Sequence, residues 1–504
     1  MVSETTFIYL TEYYSEAMRK EYAATLGKVC KEKNLQSYGK YDRRYADYRE
    51  GNLWTIFDKV MCGDEKTRLI RCDRSGRSLY AYNGRWWESI DFDGFMKELV
   101  KRVFKSLEVG VRYLPSCDRI ARELQSSVKS SSEYLFCPDR RYVVFANCVF
   151  DLKDGTLKNH DPRYVTDLVL DIDYMRDKEC DMKHPEVRKR WERFICGPDG
   201  VFTIPEVARD FQVYCGAFLM DREVFKFEYM ACVHGPGSNG KSVLVDAVSG
   251  VFGEDYYSTF TPSQLFREGT NSTFCISDLQ GKLINIVGDL DNSDFSGGAF
   301  KQFISGAKIR ARDPYGRSFR FVKPPLMICC ANEFPEAADD SDGHHRRLLP
   351  FESTHRMWTE RDKDPNLTAK LTTPESRAFI FNWMYRGYRR VVDNGGRLPL
   401  SDYTLEAQAR LKANANSMRR WFTDSEWCVP DSGDPGILKT WKSLWDEYVA
   451  YCDANYYNKR NKHEFTKMLK SLLGDPVRRG NGMNYCVGRK KPEYEGSEGS
   501  VDNR

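Results

Sequence analysis

What the 504-residue chain lacks narrows its class before any motif is read. No apolar run approaches the ~20 residues that a membrane-spanning helix needs. The opening MVSETTFIYLTEYYSE has neither the basic start nor the long apolar stretch of a secretory signal. A soluble protein of a reducing intracellular compartment, with no membrane partner, is the expectation. No CxxC occurs among the 16 cysteines, and the seven histidines fall at no metal-ligand spacing. Buried, reduced thiols are therefore expected in place of disulfides or structural zinc. An excess of one charge is also missing. The 77 Lys+Arg against 73 Asp+Glu leave +4, which excludes a globally basic nucleic-acid coat, so any polyanion site must be local. No repeat of fixed period is visible.

With 41% hydrophobic and 30% charged residues, the chain has material for three or four domains with real cores. SLYAYNGRWWESI reads as a hairpin turned at Asn83-Gly84. Basic residues interleave with tyrosines in KYDRRYADYRE (40–50), a pattern that fits a solvated helix better than a nucleic-acid contact. Residues 134–173 read as strands, YLFCP, RYVVFANCVFDL and VTDLVLDIDY, separated by the turn-rich DGTLKNHDP, and Trp191 to Leu219 carries apolar positions at helical spacing. FEYMACVH, LINIVGD, LMICCA and RRLLPF are compact apolar runs of the kind that make parallel strands. FIFNWMYRGYRRVV is helical in pattern. Two amphipathic helices follow, one through Leu438, Trp441, Trp445, Tyr448 and Cys452 and one through Phe465, Met468, Leu469, Leu472 and Leu473. After them stands the hairpin signal Asn481-Gly482, and helix, helix, hairpin is a winged-helix pattern. Residues 492–504 are acidic and glycine-rich, and disorder is expected there.

Chemistry concentrates in the central third. Gly235-Pro236-Gly237-Ser238-Asn239-Gly240-Lys241-Ser242 fits GxxxxGK[ST] between a predicted strand and a predicted helix. Glycines let backbone N–H groups turn inward around a triphosphate, the helix start adds its dipole, Lys241 reaches the β and γ phosphates, and Ser242 ligates Mg²⁺. An acidic group is needed on a neighbouring strand to hold Mg²⁺ and orient the attacking water. Asp289 and Asp291 follow LINIVG, with Asp289 directly after the apolar run. Asn332 ends LMICCA, where a carboxamide could bond the γ-phosphate or the water. Arg346 and Arg347 open RRLLPF, and a guanidinium given to a neighbour's γ-phosphate can contribute on the order of 10³–10⁵ in rate. Between Lys301 and Lys323 seven basic residues are opposed only by Asp313. Within that stretch Lys308, Arg310 and Arg312 alternate along a strand, Asp313 to Gly316 make a turn, and Arg312, Tyr315 and Arg317 crown it, with Arg320 on the return. Cations for phosphates and a ring for a base grip a single strand without reading its sequence.

Taken together, GPGSNGKS, IVGDLD, GAKIRARDPYGRSF, CCANEFP and HHRRLLPF resemble, in order and spacing, the superfamily 3 helicases. Within that class they look most like the helicase half of poxvirus-type and phage/plasmid-type primase-helicases. FANCVFDLKDGTLKNHDPRYVTDLVLDIDY, WERFI and FQVYCGAFL extend the resemblance upstream, so that it covers roughly residues 80 to 490. It implies an α/β fold with an AAA+-like P-loop ATPase core and an inserted basic β-hairpin. An α+β/helical N-terminal region and a C-terminal winged-helix-like domain would flank that core. The implied partition is 1–130 of unknown role, 131–222 collar-like, 223–356 ATPase, 357–430 helical lid, 431–491 winged-helix-like and 492–504 tail.

The resemblance further implies a viral, phage or mobile-element replicative DNA helicase of the host-cell cytoplasm that burns ATP with Mg²⁺ between the subunits of a ring, usually a hexamer in this family. Single-stranded DNA and forked duplex are the implied partners, and a primase or other replisome protein is a candidate. Lys241 and Ser242 take phosphate and Mg²⁺, Asp289 and Asp291 fill the acidic motif, Asn332 is the sensor, and Arg346 or Arg347 is the finger. The hairpin from Lys308 to Arg320 drags DNA. The family usually has Glu where Asp289 stands, which leaves open whether Asp289 or Asp291 is the base.

Asp91-Phe-Asp93, Asp171-Ile-Asp173 and Ser353-Thr-His355 offer fragments of a primase signature. The last lies beyond the arginine pair, inside the helicase module, so no primase domain is expected. The alternatives are a ring NTPase that loads or remodels partners without unwinding, and a DNA-binding replication initiator. The first would lack strand displacement. The second would bind duplex sequence-specifically through residues 462–491 without residues 230–350.

Overall fold

A computed structural model describes residues 4–33, 60, 68–73, 78–90, 92–107, 121–126, 128, 135–222, 224–266, 270–288, 298–307, 309–312, 318–321, 324–332, 346–353, 359, 364–414, 417–430, 436–455, 459–479 and 482–489. The basic-tyrosine stretch 40–50 and the tail 492–504 lie outside them. The fold is mixed α/β, built around a parallel sheet. No described helix is long and apolar enough to cross a membrane, and no metal-holding cluster occurs among the described residues.

At the amino terminus the helix Glu4–Lys33 lies against the helix Phe92–Ser106 and an antiparallel sheet of β1 (Ile70–Cys72), β2 (Leu79–Tyr82) and β3 (Trp87–Ile90). Leu10, Tyr14 and Met18, one turn apart, form the stripe that enters this core with Leu99 and Val103. The Asn83-Gly84 hairpin is present, but Tyr82 pairs with Trp87, so its loop holds four residues. Asn83 Oδ1 caps that loop, accepting from the N–H groups of Arg85 and Trp86.

A second sheet runs β6-β5-β4-β7, from β4 (Tyr142–Phe145), β5 (Val149–Asp151), β6 (Leu157–Lys158) and β7 (Val169–Leu170). The helical run read from Trp191 to Leu219 is two helices, Pro185–Ile195 and Pro205–Gly216. Between them lies a short bridge, Cys196 to Phe202, and Pro205 starts the second helix where its missing N–H costs nothing.

The third sheet consists of β8 (Met230–His234), β9 (Tyr257–Ser258), β10 (Ile284–Val287), β13 (Leu326–Ala331) and β14 (Leu348–Glu352). All its pairings are parallel, in the order β14-β8-β13-β10-β9. Helices cover both faces, which is why its strands are continuous apolar runs and not alternating ones. Between β10 and β13 stands a separate antiparallel pair, β11 (Ile309–Arg312) and β12 (Ser318–Phe321).

One hydrophobic core runs from Val143 to Val391 and crosses the boundaries drawn at 222/223 and 356/357. The helix Pro374–Asp393 sits inside it against Pro205–Gly216. Two glycines permit this contact. A Cβ at Gly387 would stand 2.1 Å from Gln212 O, and one at Gly216 would stand 2.1 Å from Tyr388 N. Tyr256 adds a polar tie between the sheets: its hydroxyl donates to Asp167 O and accepts from Val169 N–H. Burial pushes the thiols of Cys148 and Cys180 up to about 11, so they stay protonated and inert.

Toward the carboxyl terminus the helix Ser417–Asp424, β15 (Trp427–Cys428), β16 (Ile437–Thr440), the helices Trp441–Asn455 and Lys462–Leu473, β17 (Val477–Arg479) and β18 (Gly482–Arg489) share a small core around Trp421, Tyr448 and Phe465. Here two sequence expectations shift. Leu438 belongs to β16, because Thr440 Oγ1 accepts from Ser443 N–H and starts the helix at Trp441. Arg479 pairs with Gly482, which places Gly482 in the strand and not in the turn; Asn481 lies outside the described residues.

Candidate functional site

The strand β8 ends at His234, and GPGSNGKS carries the chain into the helix Lys241–Gly250. Three of its residues hold positive φ: Gly235 at 146°, Gly240 at 89° and Ser238 at 58°. The close packing of Gly235 explains its identity. A Cβ there would come within 2.3 Å of Ser353 Oγ. At the far end of the loop Gly240 faces Phe194 and Val201, so the 131–222 region forms one wall of it.

Lys241 is buried under this loop. Its Nζ donates to Gly235 O at 2.6 Å, Pro236 O at 2.8 Å and Asn239 Oδ1 at 3.0 Å. Ser242, next to it, is exposed. The first N–H groups of a helix have no intrahelical partner, so the start of this one can accept an anion.

Neighbouring strands bring further groups to the same edge of the sheet. Ala331 pairs with His234, and Asn332 follows at once, with its Oδ1 3.8 Å from where a Cβ of Gly237 would stand. Cys330 Sγ lies 3.9 Å from Lys241 O. β10 also ends on this edge, at Val287 opposite Cys329. Asp289 and Asp291 come next in sequence and lie outside the described residues.

The arginine pair is elsewhere. Leu348 pairs with Met230 and Glu352 with His234, so Arg346 and Arg347 precede β14 at the edge opposite the loop. At ~3.3 Å per residue the five-residue strand separates them from their own loop by roughly 17 Å. The two differ in access. The Arg347 side chain is only 9% exposed and lies 3.6 Å from Glu228, whereas that of Arg346 is 66% exposed. Gln408 Nε2 donates to Arg346 O and Leu348 O and fixes the backbone that presents the pair.

In the β11–β12 hairpin Ala311 is buried while Arg310 and Arg312 are exposed, the alternation expected of a strand with one wet face. The register sets Arg310 across from Arg320. Lys308, Tyr315 and Arg317 lie outside the described residues. Sequence reasoning missed Ser353, Glu228 and Gln408 as parts of this assembly. Ser353 had entered only as a fragment of a primase signature, and no spacing rule marks the other two.

Residues 15–197 match the family described as D5 N terminal like, and residues 233–347 match a family of unknown function, DUF5906. Among solved structures the chain is similar to the A form apo structure of the NrS-1 C terminal region, at 12% identity over 83% of this chain and 96% of that one, with a TM-score of 0.42. A further apo structure of that region matches at 10% identity over 83% and 95%, with a TM-score of 0.39. The match from residue 15 takes in residues 15–80, which the motifs alone left without a relative. Residues 15–197 are thus similar to the D5 N terminal like family, and the loop, Asn332 and the arginine pair all fall in or at the end of the segment that matches DUF5906.

Proposed function

We propose that the chain is an ATP-driven superfamily 3 helicase of a phage-type or viral primase-helicase system, which hydrolyses ATP between ring subunits and moves along single-stranded DNA. The observation that carries this reading is the division of one candidate site between opposite edges of a sheet. Lys241 and Asn332 sit at one edge, and the exposed Arg346 sits at the other. A subunit whose arginine lies roughly 17 Å from its own loop can complete only a neighbour's site, and head-to-tail contacts of that kind build a ring where the rotation between subunits closes. The D5 N-terminal-like match supports the replicative setting.

Within such a site the chain's residues have separable duties. The loop and the helix start hold the phosphates, and Lys241 leaves its three oxygens to meet the β and γ groups. Asn332 orients the γ-phosphate or the attacking water, and Arg346 of the adjoining subunit stabilises the charge that builds during transfer. The exposed Ser242 hydroxyl beside Lys241 suits Mg²⁺, with Asp289 or Asp291 as its acidic partner. Bound there, Mg²⁺ would neutralise phosphate charge. Arg310 and Arg312 offer two cations on the wet face of a hairpin, the arrangement that grips a strand by its backbone.

Replacing both Arg310 and Arg312 by Ala tests the DNA contact. Single-stranded DNA affinity is expected to fall by about tenfold or more, and the slope of log K against log salt to become shallower by about 1.4. Fluorescence anisotropy across a salt series measures both. An unchanged slope would remove the hairpin from the DNA path.

A further inference from the structure

The reading of GPGSNGKS as a phosphate loop underlies a more specific assignment. We propose that Ser353 is a positioning residue of this loop, acting through Asn239 to set where Lys241 stands. Ser353 is the first residue beyond β14 and is 2% exposed. Its N–H and its hydroxyl both donate to His234 O, at 2.7 and 2.9 Å. A hydroxyl has one proton, so with that proton on His234 O it turns a lone pair toward the loop. There it accepts from Asn239 Nδ2 at 2.6 Å.

This fixes the direction of the Asn239 amide. The side chain is 1% exposed, and its two ends, NH₂ and oxygen, have nearly the same shape. Because Ser353 can only accept, the NH₂ faces Ser353 and the oxygen faces Lys241 Nζ. A flipped amide would set NH₂ against an ammonium. The relay therefore runs from the carbonyl of β8 through Ser353 and Asn239 to the lysine, with every proton pointing the same way. The serine hydroxyl also occupies the space that any side chain at position 235 would need. Loop and strand end are thus shaped to each other. Since the same strand begins at the arginine pair, a single element touches the phosphate loop of its own subunit and presents Arg346 to the next.

The test is steady-state ATP hydrolysis by the full chain, with ATP-analogue binding measured in parallel. Ser353→Ala is expected to raise KM for ATP roughly tenfold, the scale of one buried hydrogen bond, with kcat within about threefold. Asn239→Ala should raise KM to a similar degree. The double variant should be no worse than Asn239→Ala alone, because the serine acts only through the asparagine. Effects that multiply to about a hundredfold, or a Ser353→Ala enzyme with KM within twofold of wild type, would overturn the assignment. Should Ser353→Ala not fold, Asn239→Ala carries the test alone, and a KM within twofold of wild type overturns it. A wild-type chain that neither binds nor hydrolyses ATP would overturn the phosphate-loop reading, and the Ser353 assignment with it. An active wild type with an indifferent Ser353 would overturn only the latter.

Discussion

Lys241→Ala is expected to lower ATP hydrolysis by at least about 10²–10³-fold while leaving subunit assembly largely intact. The Lys241 ammonium spans the loop through Gly235 O, Pro236 O and Asn239 Oδ1, holding a cation where phosphates would come. Alanine removes both the attraction for the phosphates and the charge that stabilises transfer. The lysine points into its own loop and not toward the arginine edge, so the assembly contacts should survive. Phosphate release and analytical ultracentrifugation read the two effects separately. Full hydrolysis by the variant would end the assignment of this loop.

The largest effect is expected at Arg346. Arg346→Ala should lose on the order of 10³–10⁵ in rate, whereas Arg347→Ala should act chiefly through stability, because Arg347 is buried beside Glu228. The two residues are adjacent in sequence, and only burial separates them. The geometry adds a sharper expectation. Arg346→Ala subunits keep an intact loop, and Lys241→Ala subunits keep an intact arginine, so mixing the two inactive proteins should restore hydrolysis at the interfaces that pair a good loop with a good arginine. Activity measured against mixing ratio checks this. A mixture that stays inactive at every ratio would mean that the arginine does not act across subunits.

Much of the α/β core was legible in the sequence, for a physical reason. Strands buried on both faces must be apolar throughout, so FEYMACVH, LINIVGD, LMICCA and RRLLPF marked β8, β10, β13 and β14. The loop between β8 and the helix Lys241–Gly250 was legible as a strand-to-helix turn, because three glycines in six residues continue neither element. Strand order was not, since parallel neighbours are joined through crossovers and no local pattern records which strand lies beside which. The contact between Pro205–Gly216 and Pro374–Asp393 was likewise hidden. Gly216 and Gly387 look like unremarkable helical glycines until the backbones are seen to meet at them. At Leu438 periodicity misled: an apolar residue three before Trp441 fits a helix, but the Thr440 cap ends that possibility. Ser353 shows the limit most clearly. Its partners, His234 and Asn239, are more than a hundred positions away in the chain, so no pattern around it could reveal its place at the loop.

The central claim, a nucleotide site split between neighbouring subunits of a DNA-threaded ring, is tested most directly by electron microscopy of the full chain with a non-hydrolysable ATP analogue and single-stranded DNA. The account predicts a closed ring, with nucleotide in the GPGSNGKS loop, Arg346 of the adjoining subunit at the γ-phosphate, and the β11–β12 hairpin facing a threaded strand. Nucleotide bound to isolated monomers, or a ring in which Arg346 points away from every nucleotide, would contradict it.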